Sequence, residues 1–453
     1  MPNLIPLITL ASLLTIPFTE AQQTPIAAVI LTRHGARTPL FKDTKTFTEG
    51  NSELTLEGKN QLFERGQFLR SRWGSGGSDP MTGFSETYYQ NQTYVRSSDT
   101  DRTINSAQSL LQGLFPASAA PTLTLANGTT LNAPGTGDQQ VPIHVVDNNI
   151  DYVLRGWFNC TKLDNHVNEL FKSKEFTDYQ AQHQGLLDAI SPRFGRSLAL
   201  SDMWNVFDYL NVQRSYNSSF QDLTSSQWSE LTDMVNYLEY QKFKPGYAAA
   251  NFINEVVTQL QGAAVPGSAQ KFTYYSGHYT TFTNFFGLTG LSTTNTSLQA
   301  IPDYGSTLIF ELLATPGSND RFVRFSYRNG YAAPVAFPIA NLPVIAPLAD
   351  FVKTMDQWSK SGLKGWCDIC GNTVNRGCET LNLKSGDDVG AAEAKNEGGV
   401  TPVVGGVIGA VVGVLVTGLV AAGILFASRR RTPAAQPETV SAARQPVVFA
   451  KQV

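Results

Sequence analysis

Two arginines bracket one histidine at the end of an apolar run in "AAVILTRHGARTPL", where Ala27 to Leu31 lead into Arg33, His34, Gly35, Arg37 and Pro39. A guanidinium is a planar fork of donors that matches two oxygens of a phosphate, a geometry lysine does not offer. An imidazole among such cations resists protonation, because nearby like charge disfavours a second positive charge. It therefore stays a nucleophile at mildly acidic pH, where an ordinary histidine is protonated. Attack on phosphorus by that nitrogen would split one hard displacement into two easier ones. Gly35 is expected to let the backbone approach a ligand closely, and Pro39 to stiffen the exit from the turn. The pattern reads as an anion cradle around a nucleophile.

Elements must carry these groups. "AAVIL" lacks alternation, as expected for a central strand covered on both faces. "LTLEGKNQLFERGQFLRSRW" places Leu56, Leu62, Phe63 and Leu69 near helical spacing, with Thr55 as its cap. "TYVRSS" and "VPIHVV" read as strands, and "DRTINSAQSLLQGLF" as a helix with Ile104, Ala107, Leu111 and Leu114 on one face. Residues from about 147 to 266 are mostly helical in pattern. Strands resume at "KFTYYSG", "STLIFELL" and "RFVRFSYRNG". The expected fold is α/β: a central mixed, mostly parallel sheet flanked by helices, with a helical insertion acting as a cap. Ligands of such sheets bind at the carboxyl ends of strands, where Arg33 and His34 fall.

The ends of the chain suggest a membrane setting. Residues 1–21 read as a cleaved secretory signal, and residues 403–427 are uncharged and long enough to span a bilayer. "SRRRTP" follows directly, so the short tail from 428 to 453 is placed in the cytosol. The expectation is a single-pass type I protein with its domain, residues 22–378, extracellular or in a lysosomal or vacuolar lumen, on a flexible stalk at 379–402. Gly405, Gly409 and Gly413 form a smooth helix face that fits a homodimer. A net charge of −3 with scattered lysines and arginines argues against a nucleic-acid partner. Cys160, Cys367, Cys370 and Cys378 suggest two disulfides rather than a metal site, since Cys160 stands alone. No metal or cofactor is expected. Five sequons, at Asn91, Asn127, Asn159, Asn217 and Asn295, fit a glycosylated surface. His144, His166 and His183 show no ligand spacing and are assigned to structure or surface.

"RHGARTP" resembles the R-H-G-x-R-x-P signature of the histidine acid phosphatases, a branch of the phosphoglycerate-mutase-like fold. "VRSSDTDRTINSAQSLLQGLF" is similar to that family's R-S-x-D-x-D-R-T segment, which implies that Arg102 is a third phosphate ligand beside Arg33 and Arg37. The resemblance implies that His278 of "YYSGH" is the second active-site histidine. It also favours the pairings Cys160–Cys378 and Cys367–Cys370. One position departs from the pattern: where the family has His-Asp, with the Asp protonating the departing alcohol, this chain has Tyr279. A phenol is a weak acid for an alkoxide to draw on. Asp303 of "IPDYGST" is the candidate substitute. Two functions fit: a phosphomonoesterase working through a phosphohistidine on His34, with His278 and Tyr279 as further catalytic groups, or a membrane receptor that binds phosphate esters with little turnover. The completeness of the cradle favours the enzyme.

Overall fold

The computed structural model describes residues 23–40, 43–48, 50–117, 122–132 and 139–381. The chain opens with β1 (Thr24–Arg33), α1 (Leu56–Trp73), β2 (Thr93–Ser98) and α2 (Asp101–Leu114), followed by the short strands β3 (Thr122–Thr124), β4 (Thr130–Asn132) and β5 (His144–Val146). Next come α3 (Thr161–Lys172), α4 (Lys174–Gln182), α5 (Gln184–Phe194), α6 (Met203–Tyr216), α7 (Ser225–Phe243) and α8 (Ala250–Ala264). The chain re-enters the sheet with β6 (Phe272–Gly277), then α9 (Tyr279–Leu288), α10 (Leu291–Thr294), β7 (Thr307–Ala314) and β8 (Arg321–Arg328). It finishes with β9 (Val335–Ala336), β10 (Ile345–Pro347), α11 (Leu348–Asp356) and α12 (Gly362–Cys370). The segments read as a signal and as a membrane span lie outside the described residues. Among the described residues no helix is long and apolar enough to cross a membrane.

The main sheet runs β10-β8-β7-β1-β6-β2-β5, with β9 on β8. It is mixed as expected, but it is not mostly parallel. Only β1–β6, β6–β2 and β2–β5 pair in parallel. The pairs β1–β7, β7–β8, β8–β9 and β8–β10 are antiparallel. The physical reason is a short connection: residues 315–320 join β7 to β8 as a hairpin, and a parallel return would need a long crossover. The parallel half matters for function, because β1, β6 and β2 end side by side.

Packing follows from composition, with one surprise on α1. Thr55 caps it by accepting from the Gly58 amide. Leu62 and Leu69 are buried, but Leu56 and Phe63 face outward. The buried stripe includes Gly58 and Gly66 instead. A Cβ on Gly66 would stand 2.0 Å from the Leu110 carbonyl oxygen, and one on Gly113 2.0 Å from that of Phe63, so α1 and α2 meet backbone to backbone. One apolar core, with Phe252, Phe285, Phe310 and Phe325, packs α8 and α9 on the sheet. A second, with Leu187, Ile190, Leu210, Leu231 and Met234, holds α5, α6 and α7 together. The helical stretch is thus divided: its last helix, α8, belongs to the sheet's covering layer.

The disulfides correct the expected pairing. Cys160 joins Cys370 and Cys367 joins Cys378. Asn372, just past α12, accepts from the Thr161 amide and donates to the Asn159 carbonyl. Those bonds dock the end of α12 on the start of α3, which brings Cys370 to Cys160 with Cα atoms 4.9 Å apart. The chain then folds back so that Cys378 meets Cys367.

Gly35 also does something other than expected. A Cβ there would lie 2.2 Å from the Gly58 carbonyl oxygen, so its smallness admits α1 rather than a ligand. Gly35→Ala should therefore push α1 off the end of β1. The expected cost is about 1–3 kcal/mol in urea unfolding, with a parallel drop in anion affinity; a fully stable variant would refute this packing role.

Candidate active site

Three neighbouring strand ends deliver the expected residues. His34 follows β1, His278 and Tyr279 follow β6, and Arg102 opens α2 just beyond β2. The His34 amide donates to the Gly277 carbonyl at 3.0 Å and the Arg33 amide to that of Ser306 at 2.9 Å, which ties the three segments at one level. The Gly35 amide donates to Ser106 Oγ of α2, and the Ala36 amide to Gln61 Oε1 of α1. Hydrogen bonds from its backbone amides therefore hold the motif in place.

A cavity of about 670 Å³ is lined by His34, Arg37, Arg102, His278 and Tyr279 together. Arg33 fronts the adjoining cavity instead. Its guanidinium donates to the Pro302 carbonyl and lies 4.1 Å from the Tyr304 ring centroid and 5.2 Å from that of Tyr279. Arg37 is held at both ends of its fork by Asp208 of α6, at 3.1 and 3.0 Å. The Nε atoms of Arg33, Arg37 and Arg102 are buried without a protein acceptor. A buried donor with no acceptor is costly, and an anion among these groups would relieve that cost.

Electrostatics set the protonation of both histidines. Burial, then the charges of Arg102, Arg33 and Arg37, push His34 well below its ordinary range. Burial, then Arg102, Arg155, Arg37 and Arg33, do the same to His278. Burial and the neighbouring Arg37 and Arg155 bring even Arg102 down to about 10. The two imidazole centroids are 5.6 Å apart. His34 Nδ1 lies 2.8 Å from the Gly35 carbonyl oxygen. A carbonyl can only accept, so Nδ1 carries the proton and the neutral ring keeps its lone pair on Nε2.

Several neighbours were not singled out from sequence. Arg155 and Lys242 line the same cavity with Trp157 and Trp204. Glu239 of α7 is fully buried and accepts the Tyr279 hydroxyl at 2.6 Å. Asp303 engages Asn329 and lines the adjoining cavity, so its carboxylate does not face His34. The remaining histidines sit apart: His144 stacks on Tyr94, His166 meets the Gln241 carbonyl and His183 pairs with Glu230.

Residues 26–328 match the histidine phosphatase superfamily (branch 2). The chain belongs to that family. It is 26% identical over 367 residues to the lysosomal acid phosphatase of Homo sapiens, covering 77% of this chain and 81% of that protein. It is 28% identical over 343 residues to the prostatic acid phosphatase of Mus musculus, covering 72% and 84%. Among solved structures, the phytase of Citrobacter braakii aligns with a TM-score of 0.53 at 15% identity, over 77% of this chain and 99% of that one. A Hafnia alvei phytase aligns with a TM-score of 0.53 at 15% identity, over 77% and 98%. At that identity the two phytases support the fold alone.

Arg102 is the first cation acting on His34, so Arg102→Gln should have two effects. Removing the charge lets His34 take a proton at higher pH, and the acid limb of a kcat/KM profile should move upward. Affinity for inorganic phosphate should fall about 10-fold or more, as for loss of a charge-assisted hydrogen bond. An acid limb that stays in place would contradict the electrostatic assignment.

Proposed function

We propose that this member of the histidine phosphatase superfamily, a phosphomonoesterase of the acid phosphatase type, hydrolyses small phosphate monoesters through a phosphohistidine on His34. The observation that carries the reading is the buried, neutral imidazole whose Nδ1–H is spent on the Gly35 carbonyl, leaving Nε2 as the nucleophile beside two arginines.

In the first step Nε2 of His34 attacks phosphorus and the ester oxygen departs. Arg37 and Arg102, with Arg33 behind them, offset the charge on the transferring phosphoryl oxygens. His278 donates to one of those oxygens. Tyr279 occupies the place of the family's aspartate and gives its phenolic proton to the leaving oxygen. Water then attacks the phosphohistidine, releases phosphate and restores Nε2. Burial, then Glu239, hold the Tyr279 proton more tightly than usual. Taken alone it is a poor acid, so aryl phosphates, whose leaving oxygen needs little help, are the easier substrates.

The two disulfides fit an oxidising compartment. With the apolar segments at 1–21 and 403–427, the reading is a domain displayed on the luminal or outer face of a membrane, in the secretory or lysosomal pathway. A surface receptor for phosphate esters shares the cradle and lacks the turnover.

His34→Ala decides between them. Wild type incubated at acidic pH with an aryl phosphate labelled on phosphorus, then quenched in alkali, should carry an alkali-stable, acid-labile label on one histidine. The variant should carry none and lose kcat on the order of 10⁴-fold or more, while still binding inorganic phosphate. Wild-type protein that binds phosphate and never labels would favour the receptor.

A further inference from the structure

Among the described residues, Glu239 is the one fully buried carboxylate in direct contact with a cavity-lining residue of the second histidine's segment. It projects from α7, a helix of the second core, across to the first residue of α9. Its two oxygens are used differently. Oε2 accepts the Tyr279 hydroxyl at 2.6 Å, and Oε1 accepts Lys242 Nζ at 2.7 Å, one turn along the same helix. Lys242 is partly exposed and lines the cavity; Glu239 is sealed from water.

A phenol has one proton to give. While Glu239 is a carboxylate that proton points at Oε2, away from a leaving oxygen. When Glu239 is a carboxylic acid the bond reverses: the carboxyl donates to Tyr279 Oη, and the phenolic proton is released toward the cavity. We propose that Glu239 is the proton reservoir of the reaction, a positioning residue that acts through Tyr279 and replaces in two pieces the single acid this site lacks. The proposal rests on Tyr279 being the donor to the leaving oxygen.

The step balances. As the His34 Nε2–P bond forms and the ester P–O bond breaks, the leaving oxygen takes the proton of Tyr279 Oη. Oη takes the proton of the Glu239 carboxyl, and Glu239 is left as a carboxylate beside the Lys242 ammonium. In the second step the attacking water gives a proton to Tyr279 Oη, which passes its own back to Glu239. The phenol never accumulates as phenolate, which burial among aromatic rings would disfavour.

Other charges bear on the pair. Lys242 on α7 holds its ammonium on Glu239 Oε1. Arg33 at the end of β1 lies 5.2 Å from the Tyr279 ring, and Arg37 acts on the same phenol while held by Asp208 of α6. Trp204 of α6 stacks on Tyr279 and adds no charge. Asp99 and Asp101 line the cavity as well, from the β2–α2 side, and both are exposed to water. Their carboxyls are the rivals that the test must separate.

The experiment compares an aryl and an alkyl monophosphate across acidic pH for the wild type, Glu239→Gln, Tyr279→Phe, Asp99→Asn and Asp101→Asn. Glutamine can hold Oη by hydrogen bonding and cannot deliver a proton. Glu239→Gln should lower alkyl kcat about 10–100-fold and aryl kcat less than about 3-fold, with KM and phosphate affinity unchanged. Tyr279→Phe should give the same split. If Glu239→Gln fails to fold, Glu239→Asp serves: the shorter side chain withdraws its carboxyl from Oη, the same alkyl–aryl split should appear, and two rates that move together overturn the reservoir. Tyr279→Phe splitting the substrates while Glu239→Gln does not overturns the reservoir alone. A split produced by Asp99→Asn or Asp101→Asn in place of Glu239→Gln also overturns it. No split in Tyr279→Phe, or no turnover by the wild type, removes the donor assignment itself and the reservoir with it.

Discussion

Several guanidinium groups are buried around one uncharged imidazole, and that arrangement is the constraint on which the rest depends. Desolvation alone lowers the affinity of Arg33 and Arg102 for their protons, and mutual repulsion adds to it. Arg37 escapes only because Asp208 faces its fork. Such a cluster is stable when a dianion completes it, so binding selectivity and residual charge are the same property. The same field holds His34 well below its ordinary protonation range, which is what the proposed nucleophile needs under acid conditions. In the proposed reaction one electrostatic arrangement therefore serves recognition and activation together.

The fold meets that constraint by division of labour. The parallel strands β1, β6 and β2 end at one level and place His34, His278 and Arg102 within a single cavity. Their backbone positions are fixed by amide donors to Gly277, Ser306 and Ser106. The antiparallel strands β7 and β8 add core and contribute none of the residues that line that cavity. The helical insertion supplies the carboxylates: Asp208 from α6 and Glu239 from α7. It is chemically part of the site as well as its cover, because it balances charge that the strand ends concentrate.

The strand-end groups were legible from the sequence because each sits in a short local motif, and local spacing fixes local geometry. "RHGARTP", "SSDTDRT" and "SGH" each carry their own strand or helix signal, and the parallel pairing of their strands then joins them. Asp208 and Glu239 were not legible, because they meet partners 171 and 40 residues away through helix packing that no motif records. Arg33 looked equivalent to Arg37, yet it is the last residue of β1 while Arg37 lies in the loop beyond, and the Pro302 carbonyl and Tyr304 hold Arg33 against the adjoining cavity. Gly35 was recognisable as a close approach, but sequence could not say that the approaching chain is Gly58. The disulfide exchange turns on Asn372, which no cysteine spacing reveals.

A crystal structure of residues 23–381 with vanadate or phosphate at acidic pH is the most direct check on that arrangement around His34. The central atom should lie within bonding or near-bonding reach of His34 Nε2, with its equatorial oxygens on Arg37 and Arg102 and its apical oxygen on the side of Tyr279. An anion seated away from these groups, or one facing the Nδ1 side of the imidazole, would contradict it.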